Sequence, residues 1–200
     1  MGMLRKSTMA AFAAVLWMAA FHLGFDLNHF GFLHPRQDVY ADPFWTVQRI
    51  GIVSLFLLCA GVGQALAARQ AVGWPRFWRR WAQVAGCAVL VSLGSWWMFP
   101  RSWISFGVLH ALAVMLIVAR LCNPWSTRPA FAWVMGMMGA LAIALPMVAQ
   151  HPFFDTRWAN PLGLVTRKPV TEDYVPLLPW LGVMCWGMAA GAWCASHRPG

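Results

Sequence analysis

Six stretches of about 20 mostly apolar residues follow one another along the chain, each long enough to cross a membrane as a helix. The connections between them are polar or charged. The pattern predicts an all-α integral membrane protein, a bundle of about six transmembrane helices that forms a single domain over residues 1–200. The predicted spans are residues 8–30, 46–68, 81–99, 102–121, 130–149 and 177–195.

Composition excludes an ordinary soluble domain. Of the 200 residues, 60 % are hydrophobic and 10 % are charged, whereas about 25 % are charged in soluble domains. The first span continues directly into a polar cluster, so we interpret it as a retained helix and not as a cleaved signal peptide. The five cysteines show no CxxC spacing and lie within or beside apolar segments, which favours buried thiols over disulfides or a metal site.

The basic residues divide unevenly between the two predicted ends of the bundle. Nine of the fifteen lie on the side of the N-terminus, and all six acidic residues lie on the other side. Because cytoplasmic loops collect arginine and lysine, this pattern predicts a cytoplasmic N-terminus in a multi-pass protein. It also accounts for the net charge of +9 without a nucleic-acid partner. The outer end, which is chemically mixed, is the candidate functional face.

The sequence FHLGFDLNHFGFLH places several ionisable side chains at the outer end of the first span. His22, Asp26 and His29 are spaced by four and three residues, so they share one helical face. At about 1.5 Å per residue from the predicted helix ends, Arg49 lies level with Asp26, and His110 lies level with His22. Since ionisable groups within a bilayer normally face a polar interior, we expect an outward-facing pocket between the first, second and fourth spans.

Each of these groups also has a plainer interpretation. Asp26 and Arg49 could form a purely structural ion pair, and His110 could be a packed, hydrogen-bonded histidine. His29 and His34 could be ordinary loop residues. Alternatively, His22 and His110 could be axial ligands of a b-type haem in an electron-transfer protein. A further alternative is a non-catalytic binding or transport protein that holds a polar envelope precursor in the same pocket.

Three segments outside the polar cluster also carry information. WPRFWRRW contains Arg76, Arg79 and Arg80 and forms a basic, aromatic belt at the inner interface. Anchoring is the ordinary role of such a belt, and it could also attract an anionic cytosolic ligand such as a nucleotide phosphate. The stretch 150–176 is too polar to span and could cover the outer mouth of the bundle. The GMAAG spacing at 187–191 predicts close helix packing.

Several segments of the sequence occur together in a known family. FHLGFDLNHFGF and SLFLLCAGVGQAL are followed by RFWRRWAQVAGCAVLVSLGSWWMFPRSWISFGVLHALAV and by NPLGLVTRKPVTEDYVPLLPWLGVMCWGMAAG. Over roughly residues 15–195 the chain resembles the bacterial relatives of heparan-α-glucosaminide N-acetyltransferase, a group of transmembrane acyltransferases.

The resemblance implies acetyl transfer across the bacterial inner (plasma) membrane. Acetyl-CoA would be the donor on the cytoplasmic side, and an amino sugar or another envelope molecule would be the acceptor on the far side. One of His22, His29 or His34 would act as the base. The further expected roles are orientation of the base by Asp26, oxyanion stabilisation by His110, acceptor binding by Arg49 and Asp173, and donor binding by Arg76, Arg79 and Arg80.

Overall fold

The computed structural model describes residues 2–39 and 41–196, with side chains from Thr8 onward. This part of the chain forms six α-helices and contains no strand. The predicted all-helical bundle is therefore confirmed. The helices are α1 (Gly2–His29), α2 (Pro43–Arg69), α3 (Trp74–Met98), α4 (Val108–Cys122), α5 (Phe131–Val148) and α6 (Leu177–Ser196).

Within the described residues, five helical segments are long and apolar enough to cross a membrane. The helix α3, which was predicted to span as residues 81–99, is 25 residues long but does not reach the same hydropathy. The tryptophan, serine, glutamine and glycine residues of α3 lower its mean hydropathy. The five segments are Thr8–His29, Pro43–Arg69, Val108–Trp125, Phe131–Val148 and Leu177–Ser196.

Helix α6 packs along both α2 and α5 and forms the centre of the bundle. Glycines allow the backbones of α2 and α6 to approach closely. A Cβ atom at Gly61 would lie 2.8 Å from Met188 N and 3.0 Å from Gly187 Cα. Gly191 also lies directly against α2. The prediction that the GMAAG segment is a packing motif is thus confirmed.

Helices α1 and α3 lie at the periphery of the bundle. The main helix contact of α1 is with α2, and that of α3 is with α4. In the first of these contacts the Phe21 ring lies 5.3 Å from the ring of the buried Trp45. Other faces of both helices expose large apolar side chains, including Leu16, Leu23 and Leu90. Such surfaces suit contact with lipid.

Two arginines connect helix ends at the side of the bundle that carries WPRFWRRW, which we call the inner end. Arg69 at the end of α2 donates to Ala195 O near the end of α6 at 3.1 Å. Arg120 near the end of α4 donates to Val72 O, just before α3, at 2.6 Å. The connections that follow α1, α3 and α5 lie at the opposite, outer end. This alternation agrees with the charge pattern of the sequence.

Helix α4 begins at Val108, later than the predicted residue 102. The preceding connection is held against α3, because Ser92 Oγ donates to Ile104 O at 2.6 Å and Ile104 N donates to Ser95 Oγ at 3.0 Å. Because both backbone groups of Ile104 are bonded to α3, this residue does not take part in α4. His110 therefore lies in the first turn of α4, and not about two turns below the helix start, as the predicted start at residue 102 implied.

Candidate functional site

The polar face of α1 is built as its spacing predicts. His22, Asp26 and His29 share this face, and all three side chains are exposed. The neighbouring face is fixed to the following connection by Asn28, which is only 8 % exposed. Its Nδ2 donates to Gln37 O at 2.9 Å, and its Oδ1 accepts from Gln37 N at 2.8 Å. Because exposed ionisable groups in a spanning helix are costly in lipid, we infer that the polar face lines water.

Asp173 lies at the N-terminal end of α4. Its Oδ2 accepts a hydrogen bond from Val108 N at 2.7 Å. A side chain on the N-cap residue Gly107 would collide with this carboxylate, which accounts for the glycine. The site suits an anion because the first N–H groups of a helix lack intrahelical partners and lie at the positive end of the helix dipole.

Electrostatic interactions connect Asp173 with the two helices. Burial raises the pKa of the Asp173 carboxyl above its ordinary value, while the hydrogen bond from Val108 acts in the opposite direction. Nearby positive charge also lowers this pKa, and it comes from His110, His22 and Lys168. His22 of α1 and His110 of α4 are therefore both within electrostatic reach of one carboxylate.

His110 has hydrogen-bond partners at both ring nitrogens. Its Nδ1 accepts from Gly107 N at 3.3 Å, so the ring proton is assigned to Nε2, which lies 3.1 Å from Ser92 Oγ. The Ser92 hydroxyl in turn donates to the backbone of Ile104. This bonding leaves His110 without a free N–H for an oxyanion and without a free nitrogen for haem iron. It contradicts both of those expectations.

The structure does not support the predicted ion pair between Asp26 and Arg49. Arg49 Nη2 donates to Thr46 Oγ1 at 3.2 Å. The rotation of α1 also turns Asp26 away from α2. Gly24 faces Trp45 of α2, and Asp26 follows Gly24 by two residues, which corresponds to about 200° around the helix.

The three candidate bases occupy different surroundings. The ring of His29 is stacked with that of Phe25 at a centroid distance of 6.3 Å, and His34 is exposed in the connection after α1. Of these three histidines, His22 is the one whose charge is among the main influences on the pKa of Asp173.

The segment between α5 and α6, which we call the outer loop, lies across the connection between α3 and α4. Thr171 Oγ1 donates to Trp103 O at 3.1 Å, and Glu172 N donates to Ser102 O at 2.9 Å. The Ser102 hydroxyl also donates to the Glu172 carboxylate. These bonds flank Asp173 and fix its place at the start of α4.

Asp155 closes the outer loop on itself. Its Oδ2 accepts from Thr166 Oγ1 at 2.6 Å, and its Oδ1 accepts from the backbone N–H groups of Thr166 and Arg167 at 2.7 Å and 3.2 Å. The side-chain bond from Thr166 is the main cause that lowers the pKa of Asp155 below its ordinary value.

We expect the hydrogen bonds of Asp155 to Thr166 and Arg167 to persist at neutral and mildly acidic pH and to break only in strong acid. A carboxyl with a lowered folded-state pKa stabilises the fold above its unfolded pKa, about 3.9 for aspartate. That stabilisation is lost as the pH falls through the lower, folded-state value. Hydrogen exchange of the amides in residues 160–170, corrected for intrinsic pH dependence, measures the opening. In Asp155→Ala these amides should exchange fast even at neutral pH, and unchanged protection would contradict the assignment.

At the inner end, the first turns of α3 present an exposed cluster that we call the basic collar. It consists of Trp74, Arg76, Trp78, Arg79 and Arg80. The rings of Trp74 and Trp78 are stacked at a centroid distance of 6.0 Å, and the guanidinium of Arg120 lies 4.7 Å from the Trp74 centroid. Arginines are well suited to bind phosphate. The three arginines expected to bind the donor thus share one surface.

Several structural partners of the site were not identified from the sequence. Ser92, Thr171 and Gln37 act through hydrogen bonds to segments distant along the chain, which leave no local pattern. One signal was available for Ser92 and Ser95, because they are small polar residues in an otherwise apolar span.

The cysteines add no chemistry to this site. All five are free thiols, of which Cys185 is buried and Cys87 and Cys194 are exposed. Within the described residues there is no group of three histidine, cysteine, aspartate or glutamate side chains that could hold a metal ion.

Comparison with known proteins identifies the family. The family model described as heparan-alpha-glucosaminide N-acetyltransferase, catalytic, matches residues 10–199. No curated protein and no solved structure gives a significant match to the chain. The family match covers nearly the whole sequence and agrees with the helical membrane fold. The chain therefore belongs to the family of heparan-alpha-glucosaminide N-acetyltransferase catalytic domains, and it is a multi-pass, acetyltransferase-like membrane protein.

Proposed function

We propose that this protein transfers an acetyl group from acetyl-CoA, bound at the inner end, to an amino sugar or a related envelope acceptor at the outer end. The observation that carries the proposal is the electrostatic interaction of exposed His22 with the carboxylate of Asp173, which Val108 N–H holds at the start of α4, at the opposite end from the basic collar. A histidine with a nearby carboxylate is a common arrangement for a general base. The family match supports acetyl transfer as the reaction.

His22 is the general base in this scheme. The lone pair of the neutral acceptor amine attacks the thioester carbonyl carbon, so that a C–N bond forms and the C–S bond breaks. His22 takes the proton that the nitrogen loses, and the departing thiolate takes up a proton. The products are an N-acetylated acceptor and CoA as a free thiol. Imidazole suits these transfers because it exchanges protons near neutral pH.

Asp173 and His110 have positioning roles. Asp173 is held by Val108 N–H, and its carboxylate interacts electrostatically with His22. His110 connects Gly107 to Ser92 through hydrogen bonds and thereby fixes the start of α4. Asp173 binds this start through Val108 N–H. We therefore assign His110 to maintaining the site and not to stabilising the oxyanion.

The outer end suits an acceptor that carries an amino group. All six acidic residues of the chain lie in segments at this end. Asp26 is exposed on the same face of α1 as His22. The exposed Asp26 carboxylate attracts the ammonium form of an amino sugar, and the fraction in the neutral amine form is the nucleophile. Arg49 would bind hydroxyl or anionic groups of the same acceptor.

The basic collar fits the phosphorylated end of the donor. Its three arginines are exposed, and the stacked Trp74 and Trp78 offer flat aromatic surfaces beside them. Guanidinium groups bind phosphate oxygens through charge-assisted hydrogen bonds, and aromatic rings can stack on an adenine base. The collar therefore provides groups for both parts of the CoA nucleotide.

We expect the triple substitution of Arg76, Arg79 and Arg80 by glutamine to weaken acetyl-CoA binding by at least about tenfold, because a charge-assisted hydrogen bond typically contributes 1.5–3 kcal/mol. Isothermal titration calorimetry on protein in nanodiscs measures the affinity. The matched control replaces the outer arginines Arg36, Arg101 and Arg167 by glutamine, which removes the same charge. Equal weakening in both triple variants would contradict donor binding at the collar.

Acetyl transfer itself is tested with purified protein, radiolabelled acetyl-CoA and glucosamine. The expected result is formation of N-acetylglucosamine with release of an equal amount of CoA thiol. Donor binding without acetylation of any amino sugar would contradict the enzymatic function and favour a binding or transport protein.

A further inference from the structure

Asn123, at the inner end of α4, is buried with both polar atoms of its side chain lacking a partner. The residue is only 9 % exposed. Neither Oδ1 nor Nδ2 makes a hydrogen bond to any described group. Buried polar groups are nearly always hydrogen-bonded, since an unsatisfied amide retains the desolvation cost without compensation. An orphaned donor and acceptor on one side chain therefore indicate a missing partner.

A second buried asparagine in the same chain shows which partner an amide takes. Asn28, with 8 % exposure, is paired with one peptide group, the N–H and C=O of Gln37. A secondary amide offers this donor and acceptor together, so it can satisfy both atoms of an asparagine side chain. The donor and the acceptor that lack partners in Asn123 are the same two groups that are hydrogen-bonded in Asn28.

The place of Asn123 relates it to the basic collar. Asn123 ends α4 with helical dihedral angles and begins a 3-10 turn that packs against α2 and α4. It follows Arg120 by three residues, so the two side chains lie on neighbouring positions of one helical face. The Arg120 guanidinium contacts the rings of Trp74 and Phe77 at the start of α3. Asn123 thus lies on the interior side of the surface assigned to the donor nucleotide.

We propose that Asn123 binds a secondary amide in the pantetheine arm of the acyl donor as the arm passes from the basic collar into the helical bundle. This inference rests on the proposed function, since it takes an acyl-CoA as the donor. The pantetheine arm is a flexible chain that carries two secondary amides between the nucleotide and the thioester. Asn123 would select for this arm, whereas the collar arginines bind the phosphates that precede it.

The test uses Asn123→Leu, which keeps the number and branching of the side-chain heavy atoms and removes both polar atoms. Three probes are titrated by calorimetry: acetyl-CoA, S-acetylpantetheine, which lacks the nucleotide, and adenosine 3′,5′-bisphosphate, which lacks the arm. We expect affinity for the first two to fall by about tenfold, the usual size of one lost hydrogen-bonding group, and affinity for the nucleotide to stay unchanged. Equal loss for all three probes, or no loss for S-acetylpantetheine, would overturn the inference.

Thermal unfolding of the ligand-free protein gives an independent result. Removing an unsatisfied buried amide should raise the Tm of Asn123→Leu by about 2–4 °C in a chain of this size. The matched control Asn28→Leu removes a satisfied amide and should lower the Tm. A fall in Tm for Asn123→Leu would show that Asn123 has a structural partner such as an ordered water, and would count against the inference. Asn123→Ala provides the same binding comparison if the leucine variant does not fold.

Failure of this inference can be separated from failure of the proposed function. If no acetyl transfer is detected but Asn123→Leu weakens S-acetylpantetheine binding, the donor site stands and the enzymatic function fails. If acetyl transfer is detected and the variant binds all probes normally, the inference on Asn123 alone fails.

Discussion

Replacement of His22 by alanine is expected to lower kcat for acetyl transfer by about 10²–10⁴-fold, the range typical for loss of a general base. In the proposed reaction His22 accepts the proton that leaves the acceptor nitrogen. Alanine has no group that can accept this proton. Initial rates of N-acetylglucosamine formation, measured at saturating acetyl-CoA, provide the test.

The controls for this experiment are the other two histidines of the same region. His29→Ala and His34→Ala should retain most of the activity, since the proposed scheme gives neither histidine a role in proton transfer. His22→Ala should still bind acetyl-CoA with normal affinity, because the basic collar lies at the opposite end of the bundle. If His29→Ala or His34→Ala were inactive and His22→Ala active, the base would be the other histidine and the assignment of His22 would be wrong.

A methyl group added at Gly61 is expected to be among the most damaging single changes to the fold. The Cβ atom of Gly61→Ala would collide with Met184 O and lie 2.8 Å from Met188 N, both in the backbone of α6. Overpacking of this kind usually costs about 1–3 kcal/mol, and more where backbone must move. For a chain of this size that corresponds to a Tm lower by roughly 5–10 °C. Thermal unfolding in detergent, followed by fluorescence, measures the change.

Gly63 provides the matched control in the same helix. A Cβ atom at Gly63 would have no neighbour within 4 Å. Gly63→Ala is therefore expected to keep the Tm or raise it slightly, because alanine is the better helix former by roughly 0.5–1 kcal/mol. Equal destabilisation by the two substitutions would show that helix flexibility, and not the close approach of α2 to α6, explains the glycines.

The helical fold could be predicted because lipid imposes a strong and simple rule on sequence. A spanning segment must satisfy its backbone internally and present apolar side chains for about 20 residues. That rule gave α1, α2, α5 and α6 with ends close to those in the structure. The division of arginines also predicted which connections share one end. Hydropathy did not indicate where α4 begins. The segment WISFG is as apolar as a spanning helix, but hydrogen bonds with Ser92 and Ser95 hold it outside α4.

The geometry of the site was less accessible to sequence reasoning. Spacing correctly placed His22 and Asp26 on one face of α1, since that relation is local. It could not give the rotation of this face relative to α2, and for that reason the structure does not support the expected pair with Arg49. The position of Asp173 beside α4 likewise depends on the outer loop, whose hydrogen bonds join segments about 65–70 residues apart in sequence. Such pairings leave no periodic signal.

The attachment of α1 has a consequence for how the membrane itself acts on the site. This helix is held mainly along one neighbour, through contacts such as Phe21 with Trp45, and the candidate base is carried on it. Long apolar helices tilt to match the thickness of the surrounding hydrocarbon. Lipid chain length would then change the separation between His22 and the Asp173 carboxylate, so that the rate of acetyl transfer would depend on bilayer composition.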